Sequence, residues 1–301
     1  SNRVINHLMS ILSSIFISGY HGKTTNFAKN SSCHRTTIAH FLNSGKWNDP
    51  LLSDALKQAV IEIIYSEAAR TGNPVFCIVD DTIASKTKPL SRALHPIEDA
   101  YFHQSHLKKK QDYGHQAVAV TLSCNGIVQN IAKELPVPPV MSYFLCDCWY
   151  VSEKIINTFA QKGFHTIGAL KTNRLLYPSG MKKKLSELAA ELSVTHNGFD
   201  LATVKKRKYY VYRWSIEIFF RQCKDKMALD GYQLRSAQGI KRYWLLMSLA
   251  HFMRIAGTGE FCSFETGYHK ICGIVQLEKY RYLFQCAKES NDFDSFIKLA
   301  G

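Results

Sequence analysis

The sequence has no paired C-x-x-C, no apolar run long enough to span a membrane, no internal repeat and no low-complexity tract, and it is short of acidic residues. Each deficit removes a class of protein. Nine cysteines at irregular spacings in 301 residues do not make a disulfide framework, so a reducing, cytoplasmic compartment is expected. A structural zinc site is disfavoured on similar grounds: His269 and Cys272 have an H-x-x-C spacing with Cys262 upstream, but a cysteine pair is missing. Cys146 and Cys148, on either side of Asp147, read as small core residues. The N-terminal stretch LMSILSSIFISGY lacks a basic flank and a cleavage site and fits an amphipathic core helix. YWLLMSLAHFMRIA is too short for a membrane span and is broken by His251 and Arg254. A soluble protein with no membrane contact is expected. The chain starts without Met, so its first residue is expected not to be the natural N-terminus.

The shortage of acids leaves 24 Asp and Glu against 38 Lys and Arg, a net charge of +14. The excess is clustered at Lys108-Lys109-Lys110, Lys182-Lys183-Lys184 and Lys205-Lys206-Arg207-Lys208. A solvated loop explains any one cluster. Three together point to a polyanionic partner, because each neutralised phosphate releases counterions.

Hydrophobic content of 46% with 21% charged residues suits a globular chain, and the length allows a main domain with a smaller partner. Residues 1–70 carry helical periodicity, with Val4, Ile5, Leu8, Met9, Ile11, Leu12, Ile15 and Phe16 as the first stripe and DALKQAVIEIIYSEAAR as a later one. Between them a short helix, a polar break at Asn30 to Ser32 and a second helix with Arg35, Thr36 and Thr37 near its start have the layout of a helix-turn-helix. A Ser-capped helix with an Arg in its first turn is also common in ordinary helical domains.

From residue 75 the period changes to that of strands: VFCIVDD, then GHQAVAVTLSCNGIV as one long strand or two joined at Cys124-Asn125-Gly126, then SYFLCD. A helix in SEKIINTFAQKG stops at Gly163 and leads to the strand HTIGALK, which indicates an α/β core. Two connections lack what they need. NGIVQNIAKELPVPPV is too short for a linking helix, and KKRKYYVYRWSIEIFF passes from strand-like aromatics into a helix with no turn residue. Internal stretches are therefore expected to be absent near residues 130 and 212.

Asp81, with Asp80 beside it, and Asp147 end apolar strands, where open α/β sheets place their chemistry. Helix capping would explain either one alone. Glu217 is different, since it lies among Trp214, Ile216, Ile218, Phe219 and Phe220, and burying a carboxylate there is costly without a cation. Arg213, Glu217, Arg221 and Lys224 fall on one helical stripe, part of which ordinary i,i+4 pairing would explain.

The order Asp81, Asp147, Glu217, with DCWY after the second strand and Tyr210-x-x-Arg213-x-x-x-Glu217-x-x-x-x-x-x-Lys224, resembles the DDE transposases of bacterial insertion sequences that bear the Y-R-E-K signature. The resemblance spans about residues 75–255, and YGHQAVAVTL and RSAQGIKRYWLLMSLAHFM fit the same pattern. It implies an α/β, RNase H-like mixed sheet flanked by helices, with three carboxylates, Asp81, Asp147 and Glu217, that are catalytic and hold two Mg²⁺ ions, or Mn²⁺. Asp80 is the alternative first ligand; Asp81 is preferred because the family tends to have Thr or Gly after its catalytic acid.

Tyr210, Arg213, Arg221 and Lys224 would meet the phosphates of the transposon end, with Arg35, Lys108, Lys109 and Lys110 as further DNA contacts. The segment from Asp147 to Glu217 is short for the family, whose members often carry a β-rich insertion there. His115 reads as a core or supporting residue, and Trp149 and Trp214 as core, although an aromatic near the site could stack on a flipped base.

The resulting expectation is a helical DNA-binding region at residues 1–72, an RNase H-like catalytic domain at 73–256 and a C-terminal helical extension at 257–301. The partners would be double-stranded DNA, as terminal inverted repeats and target, and a second copy in a homodimer. A prokaryotic, nucleoid-associated cytoplasmic location goes with this. A non-catalytic DNA-binding remnant and an RNase H-like nuclease without strand transfer are the rivals.

Overall fold

The computed structural model describes residues 2–17, 20–29, 31, 33–91, 96–105, 109–125, 127–131, 135–171, 173–177, 180–187, 209–256 and 262–300. In chain order the elements are α1 (Asn2–Ile15), α2 (Thr24–Ala28), α3 (Arg35–Asn43), α4 (Asp49–Thr71), β1 (Phe76–Ser85), β2 (Tyr101–Ser105), β3 (Lys110–Cys124), β4 (Ile127–Ile131), β5 (Ser142–Cys146), α5 (Glu153–Gln161), β6 (Phe164–Gly168), β7 (Leu175–Leu176) and β8 (Lys183–Lys184). A 3₁₀ turn at Val211–Arg213 then leads into α6 (Trp214–Met227), α7 (Ala237–Ala256), α8 (Phe264–Glu289) and α9 (Phe293–Ala300). The main sheet has the order β2-β3-β1-β5-β6, with β4 on β3, and mixes parallel and antiparallel pairs. A mixed sheet with helices before and after it is the RNase H-like α/β arrangement expected from the sequence.

The chain divides into two compact units. One comprises Ser1–Asp54, Thr82–Ala117 and Phe220–Gly301. Its helices bury the residues that the periodicity picks out, Ile11, Leu12 and Ile15 on α1 and Ile38, Phe41 and Leu42 on α3. The stripe is narrower than expected, since Ile5 and Met9 are exposed. Asn30 and Ser32 of the expected polar break lie outside the described residues; α3 is capped by His34, whose ring accepts from the Thr36 N–H.

The last carbonyls of α3 have no partner within the helix, and Arg242 of α7 supplies one. Its guanidinium reaches the carbonyls of Phe41, Leu42 and Gly45 and pairs with Asp49 at 2.8 Å. Tyr243, fully buried beside it, accepts or donates with the Tyr20 hydroxyl at 2.9 Å and lies within reach of the Met227 and Ala228 carbonyls. His115 is buried and bonds the Tyr232 hydroxyl and the Glu98 carbonyl, both at 2.7 Å, a supporting position as expected.

The other unit comprises Ala55–Asp81 and Val118–Phe219. Here Phe76–Val79 run parallel to Tyr143–Cys146, which run parallel to Phe164–Gly168. Strands covered on both faces need no polar alternation, which is why VFCIV and SYFLC are continuous apolar runs. Ser152 caps α5 by accepting from Ile155, and Phe159 on that helix stacks on Phe144 at 3.7 Å. GHQAVAVTLSCNGIV proves to be two antiparallel strands, with Cys124 paired to Ile127 and Asn125 at φ 50°.

Two expectations are corrected. β1 continues to Ser85, so Asp80 and Asp81 lie within a strand and not at its end. Tyr209 and Tyr210 are helical, and the chain goes directly through the 3₁₀ turn into α6, so no turn residue is needed at that point. Gaps are expected near residues 130 and 212; of the chain beside them, residues 126, 132–134 and 188–208 lie outside the described residues.

Candidate active site

Neighbouring residues of a strand point to opposite faces, so Asp80 and Asp81 cannot serve one site equally. In the β1–β5 register Val79 pairs with Cys146, and one further step brings Asp80, not Asp81, level with Asp147. Asp80 Oδ2 accepts from Arg213 Nη1 at 2.6 Å, and Arg213 Nη2 donates to Glu217 Oε1 at 2.6 Å. The second contact follows from helical geometry, since residues four apart meet on one face. One guanidinium thus joins a strand carboxylate to a helix carboxylate.

Asp81 is held differently. Its Oδ1 accepts from the Tyr150 hydroxyl at 2.8 Å, while its backbone N–H donates to Asp80 Oδ1 at 3.0 Å. Asp147, the residue after β5, accepts the Trp149 N–H at 2.9 Å. This turn shapes the loop so that Tyr150 reaches Asp81.

The charges report on their closeness. Burial raises the pKa of Asp80; the Asp81 N–H and Arg213 oppose that rise, and Asp147 and Asp81 add to it. Burial likewise raises Tyr150, and its hydrogen bond to Asp81 and the charges of Asp81, Asp80 and Asp147 push it further. Tyr210 is raised by burial and by Asp147 against the pull of Arg213, whose guanidinium lies 5.8 Å from its ring. For Arg213, burial works against the charge, but Asp80, Tyr210 and Glu217 more than offset it, so its pKa is raised.

Among the described residues no group of three or more His, Cys, Asp or Glu is placed to hold a metal ion. Arg213 stands between Asp80 and Glu217. The donor set nonetheless fits a hard divalent cation: it offers carboxylate oxygens only, around a position that already holds positive charge. Of the zinc candidates, His269 instead lies 3.4 Å from Glu265.

Lys224, on the second half of α6, donates to Thr82 Oγ1 at 2.7 Å and reaches the Ile83 carbonyl. Arg221 is exposed on the same helix, and Arg35 is exposed at the start of α3. Lys109 and Lys110 are exposed at the start of β3, whereas Lys108 lies outside the described residues. Trp149 and Trp214, expected in the core, are 64% and 56% exposed; each follows a site acid or arginine in a segment whose neighbours, not the indole, face inward. Sequence reasoning also missed Tyr150. Its only trace was a place in DCWY, three residues after Asp147.

Among the described residues no helix is long and apolar enough to cross a membrane. No curated protein matches the chain. The family described as transposase DDE domain matches residues 72–253, a span that contains Asp80, Asp81, Asp147, Tyr150, Arg213 and Glu217. Because this match covers more than half of its length, the chain belongs to the transposase DDE domain family.

Proposed function

We propose that the protein is a DNA transposase that binds terminal inverted repeats, cleaves at the element's ends and joins the 3′-hydroxyls to target DNA. The observation that carries this reading is the constellation of Asp80, Arg213 and Glu217, with Asp147 in register, inside the matched region. The geometry supports Asp80 in the place the sequence reading gives to Asp81, with Asp147 and Glu217 as the other catalytic carboxylates. Asp81 then holds Tyr150, and with it the loop that carries Asp147.

These carboxylates would hold two Mg²⁺ ions, or Mn²⁺. Bound there, such ions supply activation of the attacking water or 3′-hydroxyl and stabilisation of the leaving oxygen. Arg213 leaves its carboxylates for a phosphate oxygen of the DNA, where its paired N–H groups bind bidentately. Tyr210 offers a hydroxyl to the same backbone, and Arg221 and Lys224 add positive charge. The helices of residues 1–72, with Arg35 at the start of α3, position the repeat, and Lys108, Lys109 and Lys110 steer the polyanion. Residues 73–256 form the catalytic domain, 257–301 are a helical extension, and two copies handle two ends.

A labelled terminal repeat incubated with protein and Mg²⁺ tests the reading. Cutting and joining, both lost in Asp147→Ala, are expected. Cutting without joining would make the protein a nuclease, binding alone would make it a non-catalytic remnant, and full activity in Asp147→Ala would overturn the site.

A further inference from the structure

A polar cleft lies between α1 and the start of α3. Residues three, four and seven apart share a helix face, and Arg3, Asn6, His7 and Ser10 of α1 line the cleft together with Ser31 and Cys33, which precede α3. All six belong to one compact unit. At about 300 Å³ the cleft has the size of a small-molecule site, and among the described residues no acid lines it.

Its two reactive side chains meet. Cys33 Sγ lies 3.9 Å from His7 Nδ1, a hydrogen-bond contact for a sulfur atom. The imidazole is buried, with its ring 5.0 Å from that of Phe41, so a core residue of α3 holds it in place. Cys33 is fixed from its own side: its N–H donates to Ser31 Oγ at 3.2 Å, and His34 beside it caps α3. The thiol is part-exposed, unlike the buried Cys77, Cys124, Cys146, Cys223 and Cys286. A part-exposed thiol with a base in reach and a cation on the same cleft is the setting of a reactive cysteine, whereas a thiol buried among apolar groups is inert. The proposed DNA chemistry uses neither Cys33 nor His7.

We propose that Cys33 is a modification site that exchanges with small acidic disulfides. His7 Nδ1 takes the thiol proton, and Cys33 Sγ attacks one sulfur of the disulfide. A new S–S bond to Cys33 forms as the old one breaks; the leaving sulfur departs with the electron pair and accepts the proton from His7. Cys33 is thereby oxidised and the departing half reduced, so the disulfide is the only oxidant required. The Arg3 guanidinium meets a carboxylate of the disulfide, and Asn6, Ser10 and Ser31 offer it hydrogen bonds. Such adducts are reversible, which suits a transient signal in a reducing compartment. The adduct places bulk and negative charge two residues before Arg35, the first residue of α3. Its effect on DNA rests on the reading of α3 as a DNA contact; the thiol chemistry does not.

The test exposes the full chain at about pH 7, where free thiols are mostly protonated, to oxidised glutathione, an acidic peptide disulfide, or to neutral 2-hydroxyethyl disulfide. Peptide mass spectrometry follows each cysteine. Cys33 is expected to react with oxidised glutathione faster than Cys148, Cys262 and Cys272, the other part-exposed thiols. His7→Gln should slow it by roughly 3- to 30-fold, the upper figure set by the few per cent of thiolate that an unassisted thiol holds near neutrality. Arg3→Gln, a change at an exposed residue, should slow oxidised glutathione by about 2- to 5-fold, as for an exposed ion pair, and leave the neutral disulfide unaffected. Unchanged melting temperatures show that the variants fold. The proposal is overturned if Cys33 reacts no faster than the other three thiols, if His7→Gln with the wild-type melting temperature reacts at the wild-type rate, or if Arg3→Gln leaves the preference for the acidic disulfide intact.

Anisotropy with a fluorescein-labelled duplex reads the consequence. The adduct is expected to weaken binding by about tenfold or more, because it sets like charge against the phosphates, and binding by Cys33→Ser should not respond to the disulfide. Fast, His7-dependent modification with unchanged duplex binding would defeat the reading of α3 as a DNA contact and leave the thiol site standing. Duplex binding by a protein whose Cys33 is inert would do the reverse.

Discussion

The Arg213 guanidinium meets the Asp80 carboxylate at 2.6 Å across 133 residues of sequence, and its other nitrogen meets Glu217. A positive group thus holds together two acids that would otherwise repel. If a divalent cation takes over that role, the arginine competes with it. Arg213→Ala is expected to lower the melting temperature without metal and to show a larger rise on adding Ca²⁺ than the wild type. Equal rises would sink the idea of competition.

Asp80 and Asp81 are separable by the same logic. Asp80→Asn should reduce DNA cleavage by on the order of 10³-fold, the scale of several kcal/mol of lost charge stabilisation. Asp81→Asn should cost about 10–100-fold, as changes to supporting partners do, and Tyr150→Phe should match it. A reversed order in single-turnover cleavage rates would return the first carboxylate to Asp81.

Gly168 leaves room for Val151. Gly168→Val forces a branched side chain into that space, with an expected loss of about 1–3 kcal/mol from overpacking. Denaturant melts measure it, and a loss below about 0.5 kcal/mol would mean that the loop has room to shift.

Arg242 is nearly buried and serves Asp49 and the carbonyls that end α3. Arg242→Met takes the cation from part-buried Asp49 and a donor from the Leu42 and Gly45 carbonyls, while Phe41 keeps its bond from the Trp47 indole, so a loss of up to about 3–5 kcal/mol is expected. A variant that melts like the wild type would show the pair to be dispensable.

Lys86 donates to the carbonyls of Asp230 and Tyr232 and sits 3.5 Å over the Tyr232 ring. Burial pushes its pKa down to about 8, against a smaller pull upward from Asp230. Between about pH 8 and its ordinary value near 10.5 the unfolded chain binds the proton that the folded chain has lost, so this group's contribution to stability rises with pH across that window. Melting temperatures of wild type relative to Lys86→Met should therefore rise from pH 7 to 10; a flat difference would place the ammonium in solvent.

The strands VFCIV and SYFLC, the helix following Asp147 and the i,i+4 pair on α6 were legible because each depends on local pattern: continuous apolar runs, a Ser cap, residues one helical turn apart. The Arg213–Glu217 contact belongs to that class, as does the family resemblance that residues 72–253 bear out. The choice between Asp80 and Asp81 does not. Adjacent strand residues look alike in sequence, and only the pairing of Val79 with Cys146 brings one of them level with Asp147. Trp149 and Trp214 were misread because hydrophobicity predicts burial on average, while a loop anchored by its neighbours can hold one ring outside.

Taken alone, the sequence determined most of the helices and strands, the excess of positive charge, and which acids are candidates for the site, because periodicity, composition and short-range spacing are properties of the chain itself. Strand register, the face each acid takes and the solvent exposure of Trp149 were decided by tertiary structure, because they depend on which distant residue arrives alongside, and that is set by packing of the whole sheet.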